Sequence, residues 1–107
     1  MRKLSRHLMI YIVDDDGAIR DSLALLLSCE GLASRCFATA AQFLESEAPT
    51  DDDFLISDVQ MPGMSGLDLL LAIRKRGLGL PVVLMTGRAS PQLRERALDG
   101  GAAALLA

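Results

Sequence analysis

Short apolar runs alternate with helical patterns from one end of this 107-residue chain to the other, and that rhythm limits the fold more than any other feature. Leu8 to Val13 is a continuous apolar run stopped by Asp14-Asp15-Asp16-Gly17, as expected of a strand buried on both faces. Ile19, Leu23, Leu26 and Leu27 follow at helical spacing, and Gly31 closes that helix. Leu32 to Phe37 reads as a second strand, and Thr39 caps a short helix carrying Phe43 and Leu44 that ends before Pro49. Phe54 to Ser57 is a third strand, the Pro- and Gly-rich segment 61–66 is a loop, and Leu67 to Arg76 is a helix. Val82 to Met85 is a fourth strand. Ser90 and Pro91 open a helix with Leu93, Ala97 and Leu98 on its inner face, Gly100-Gly101 ends it, and Ala102 to Ala107 is a fifth, short strand.

Strands and helices in strict alternation predict one α/β domain with a parallel sheet and right-handed crossovers. The expected strand order is the flavodoxin-like 2-1-3-4-5, with no helix after the fifth strand to cover its end of the sheet. Half the residues are apolar but only 4% are aromatic, so the core is expected to be aliphatic. The formal charge of −3 argues against nucleic-acid binding by this segment, which would need a basic face. Arg74-Lys75-Arg76 reads as the solvated end of a helix, where cations complement the dipole. Asp51 to Asp53 reads as a solvated loop without a metal role.

Met1-Arg2-Lys3 ahead of an apolar run imitates a secretion signal, but the run is too short and ends in aspartates, so a strand is the better reading. No stretch reaches the length of a membrane span. Cys29 and Cys36 form no C-x-x-C and His7 stands alone, so no zinc site is expected. Both thiols are expected to be free and buried or half-buried, in a cytoplasmic protein.

In an open parallel sheet, chemistry gathers at the carboxyl ends of the strands. Asp14 and Asp15 follow the first strand, Asp58 the third and Thr86 the fourth, and the strand order would bring them to one cavity. Three carboxylates together repel one another unless a cation joins them, and an all-oxygen set suits Mg²⁺. Beside such a metal, Asp58 could attack phosphorus and Thr86 could hydrogen-bond a phosphoryl oxygen. Asp16 reads as a helix cap or surface residue.

These residues carry a resemblance. Asp14-Asp15, the string Asp58-Val59-Gln60-Met61-Pro62-Gly63-Met64-Ser65-Gly66, and Val83-Leu84-Met85-Thr86-Gly87 resemble the receiver domain of two-component response regulators over essentially the whole chain. Phe43-Leu44 and Leu80-Pro81-Val82 look most like receivers of LuxR-class transcription regulators. The resemblance implies Asp58 as phosphoacceptor for a histidine kinase, and Mg²⁺ held by Asp14, Asp15, Asp58 and the Gln60 backbone carbonyl. It implies Thr86 as switch hydroxyl, with small Gly87 leaving access for the donor. The output surface would be the face of the fourth helix and fifth strand, used for homodimerisation or for contact with an output domain.

Two departures accompany it. Leu105 stands where the family has an aromatic, and the family's fifth-strand lysine would fall one position beyond Ala107. The expectation is therefore a receiver cut before that lysine and the last helix, with Leu105 and Leu106 in an uncovered apolar patch that favours self-association. Two rival readings stand beside it. Val13-Asp14-Asp15-Asp16-Gly17 and Met85-Thr86-Gly87-Arg88 also fit haloacid-dehalogenase-type phosphatases, with Asp14 as nucleophile and Asp16 as general acid, though this leaves Asp58 unexplained. A docking receiver that works without phosphorylation is the other.

Overall fold

A computed structural model describes residues 8–46 and 49–107. The signal-like Met1-Arg2-Lys3 and His7 lie outside the described residues. The order is β1 (Met9–Val13), α1 (Gly17–Cys29), β2 (Ala33–Phe37), α2 (Ala40–Glu45), β3 (Phe54–Asp58), α3 (Gly66–Lys75), β4 (Val82–Met85), α4 (Pro91–Asp99) and β5 (Ala104–Leu106). The strands form one sheet in the order β2-β1-β3-β4-β5, every pair parallel, as the sequence rhythm predicts. Helix entries at α1, α2 and α4 use the expected caps, Asp16, Thr39, and Ser90 followed by Pro91, while α3 opens on a capping box of Ser65 and Asp68, Ser65 being a residue that the sequence reading places in the loop.

Alternation along the strands divides their side chains between two unequal faces. Tyr11, Val13, Leu55, Val82, Leu84 and Leu105 point into the main core, which they share with Phe43 of α2, Leu69, Leu70 and Ile73 of α3, and Ala97 of α4. The expected aliphatic core has one aromatic corner, where Tyr11, Phe37 and Phe43 stand 5.2 to 6.3 Å apart between ring centres. Ile10 and Ile12 turn to the opposite face, where α1 lies over β1 and β2; the Cys36 thiol meets the Arg20 carbonyl there. No residue of α1 is fully buried, and Ile19, Leu25 and Leu26 are exposed. Toward β5 this face holds half-buried Val83 and Met85 and exposed Leu106.

Several expectations need correction. Leu105 is 5% exposed, because its register opposite Leu84 turns it into the main core; only Leu106 belongs to the uncovered face. Cys29 and Cys36 are free but exposed, since the α1 face offers too little cover. Burial of the Cys36 sulfur itself still pushes that thiol up. The Asp51–Asp53 run is not simply solvated. Asp53 is buried and accepts from the Met9 and Thr50 N–H groups at 3.1 and 2.8 Å, tying the start of β1 to the turn before β3. Asp51 accepts from the Gly79 N–H at 2.7 Å. Arg74 is half-buried and donates to the carbonyls of Leu78, Leu80 and Gly101, while Arg76 donates to that of Leu44.

Candidate functional site at the carboxyl end of the sheet

The parallel register delivers the site. Adjacent β1, β3 and β4 all point their carboxyl ends the same way, so the residues that stop them meet at one rim. Asp14 follows β1 and is 2% exposed; its backbone N–H continues the ladder to the Phe37 carbonyl. Asp58 is the last residue of β3, half-buried, with the next N–H, that of Val59, bonded to the Met85 carbonyl. Thr86 follows β4, is 5% exposed, and is held by its N–H on the Leu106 carbonyl. Asp14, Asp58, Thr86 and Gly87 border a cavity of about 400 Å³ whose apolar wall is Ile19, Met85 and Leu106.

Asp14, Asp15 and Asp58 each present a carboxylate oxygen, and these oxygens lie within 4.8 Å of one another. Burial pushes the Asp14 carboxyl above its ordinary value; the Asp16 N–H bonded to it at 2.9 Å counteracts this, and the neighbouring Asp15 charge adds to it. Burial also pushes Asp58 up, with the Asp14 charge next in effect. Clustered carboxylates strained by burial and mutual repulsion are a donor set that a hard divalent cation relieves, and oxygen-only ligands suit Mg²⁺. The residues present therefore fit the metal.

Asp16 stands apart from the cluster. Its carboxylate caps α1, accepting from the Ala18 and Ile19 N–H groups, which leaves the phosphatase reading without its general acid. Gly66 keeps the loop close: its N–H bonds to the Val59 carbonyl, and a side chain there would run into the backbone of Asp58 and Val59. Pro62 and Gly63, the latter at φ 76°, turn the loop as expected.

Three features escape a reading of the sequence. Arg20 donates to the Asp14 carbonyl at 2.6 Å, Ile19 forms part of the cavity wall, and the Gln60 side chain accepts a hydrogen bond from Thr86 at 2.8 Å. Only helical spacing after the aspartates hints at the first two. Nothing in the sequence signals the third.

The profile of the response regulator receiver domain matches residues 10–107. The transcriptional regulatory protein FixJ of Azorhizobium caulinodans is 42% identical over 99 residues, which cover 92% of this chain and 47% of that protein. The C4-dicarboxylate transport transcriptional regulatory protein DctR of Rhodobacter capsulatus is 42% identical over 95 residues, covering 87% of this chain and 48% of that one. The chain thus spans about half the length of these curated relatives. Among solved structures, response regulator StyR superposes with a TM-score of 0.86 at 33% identity, covering 94% of this chain and 51% of that one. The crystal structure of FixJ-N gives 0.81 at 28% identity, with coverage of 94% and 81%.

Proposed function

The chain belongs to the response regulator receiver domain family, and on that premise we propose that Asp58 accepts a phosphoryl group from a histidine kinase and so switches an attached or partner output domain. The observation that carries the reading is the convergence of Asp14, Asp15 and Asp58 within 4.8 Å, with Thr86 on the same cavity. Asp14, Asp15, Asp58 and the Gln60 carbonyl would hold Mg²⁺, which neutralises repulsion between the incoming phosphoryl oxygens and the carboxylates.

A carboxylate oxygen of Asp58 attacks phosphorus; the P–O bond forms as the P–N bond to the kinase imidazole breaks, and the electron pair returns to that nitrogen. Thr86 then donates its hydroxyl proton to a phosphoryl oxygen, and small Gly87 leaves the donor room to approach. Repacking of the β4–α4 loop carries the change to the α4–β5 face, where two receivers pair or an output domain docks. The names of FixJ and DctR favour transcription as the output, and a kinase-fed relay of this kind places the domain in the cytoplasm.

The test is intact mass and peptide mapping after incubation with Mg²⁺ and a small acyl-phosphate or phosphoramidate donor. A labile phosphoryl group on Asp58, lost in Asp58→Asn with the fold retained, is the expected result. Labelling on Asp14, or undiminished labelling of Asp58→Asn, overturns the assignment.

A further inference from the structure

A hydroxyl carries one proton, and the proton of Thr86 is already engaged. Thr86 Oγ1 donates to Gln60 Oε1 at 2.8 Å and accepts from the Arg88 N–H at 3.0 Å. Gln60 and Thr86 come from different strand ends, 26 residues apart in the chain. Thr86 is 5% exposed on the acidic cavity, whereas Gln60 is an exposed loop residue two positions beyond Asp58. The Gln60 backbone N–H also helps hold the Asp58 carboxyl down against the effect of burial. One residue therefore bears on both halves of the site, on Asp58 through its backbone and on Thr86 through its side chain.

We propose that the Gln60 side chain is a latch that holds the Thr86 hydroxyl in the unphosphorylated arrangement, so that Gln60 sets how readily the domain switches. This inference rests on the phosphoacceptor reading of Asp58. Donation to Gln60 and donation to a phosphoryl oxygen are mutually exclusive, because a threonine hydroxyl has a single O–H. Every switching event must exchange one for the other. The latch lowers the fraction of molecules ready to engage a phosphoryl group, and the apparent affinity for that group falls by the same fraction. Gln60 acts here as a positioning residue, since its side chain works only through Thr86.

The experiment is a double-mutant cycle on the 107-residue chain with Gln60→Met, Thr86→Val and the pair. Methionine keeps the length of the side chain and removes the amide acceptor. Beryllofluoride with Mg²⁺ is the phosphoryl mimic, titrated by NMR. Gln60→Met is expected to tighten beryllofluoride binding about two- to tenfold, the range of one ordinary hydrogen bond. In the Thr86→Val background the same change is expected to do nothing, because no latch remains to release. Unchanged or weaker binding in Gln60→Met, or an equal gain in both backgrounds, overturns the latch.

A second readout needs no phosphoryl chemistry. The Gln60 side-chain amide should be ordered on the ps–ns timescale in the wild type and mobile in Thr86→Val. A mobile amide in the wild type overturns the latch on its own. Failure of the wild type to bind beryllofluoride while that amide is ordered overturns the phosphoacceptor reading instead.

Discussion

At Gly66 the site depends on a missing methyl group. A Cβ there would overlap the Asp58 carbonyl oxygen and come within 3.0 Å of the Val59 Cα, and both obstacles are backbone, which cannot swing aside. Gly66→Ala must therefore displace the loop that carries Asp58 or the first turn of α3. The expected cost is about 1–3 kcal/mol of stability, as for overpacking a tight interior, read from the midpoint of urea unfolding. Phosphoryl uptake at Asp58 should fall with it, and an unchanged midpoint would show that the loop has slack. Legibility at this scale divides along the same line. Asp14, Asp15, Asp58 and Thr86 are readable from sequence because a parallel sheet fixes where strand ends point. The side-chain contacts of Gln60 and Arg20 depend on loop course and rotamer, which no periodicity encodes. The exposure of Cys29 and Cys36 is not readable for another reason: apolar neighbours indicate a face to be covered, and cannot show whether anything covers it.

Among the elements, order and type were legible throughout the described residues, with ends displaced by a residue or two, as capping turns usually blur them. What the sequence hid is how the elements are pinned together. Arg74, in the last turn of α3, reads as one of three surface cations, yet it spans the carbonyls of Leu78 and Leu80 before β4 and of Gly101 before β5 at 2.8 to 3.0 Å. Leu80 is itself fully buried. Arg74→Ala leaves that carbonyl without its donor and frees the segments leading into two strands. The expected loss is at least that of one hydrogen bond to a charged group, about 1.5–3 kcal/mol, while Lys75→Ala, on the exposed side of the same turn, should stay within about 0.5 kcal/mol. Calorimetry on the two variants decides the matter. Equal effects would mean that the Arg74 bonds are replaced by water at no net cost.

For the whole molecule, the decisive asymmetry is between a well-filled face, where α2, α3 and α4 close the main core, and a rim where carboxylates crowd. Crowding makes the rim a source of instability that pH and metal should both control. Burial raises the carboxyls of Asp14 and Asp58 above their ordinary values, so the folded state holds their protons more tightly than the unfolded chain does. Their favourable contribution is complete below the ordinary aspartate value and is lost as pH rises through the raised folded values. Above those raised values the metal-free protein carries the full penalty. Asp58→Asn removes part of it and is expected to raise Tm at neutral pH, with the gain shrinking as the pH is lowered into the carboxylate range. Mg²⁺ held by the folded cluster alone would act in the same direction, giving about 2.7 kcal/mol at a concentration a hundredfold above its Kd. For a domain of this size each kcal/mol moves Tm by about 4–8 °C, so a thermal melt reads the effect directly. The Mg²⁺ increment should fade over the same acid range as the Asp58→Asn increment, because protons and metal compete for the same oxygens, and it should be smaller in Asp58→Asn itself. An increment independent of pH, or one undiminished in that variant, would place Mg²⁺ binding elsewhere than on the Asp14, Asp15 and Asp58 cluster.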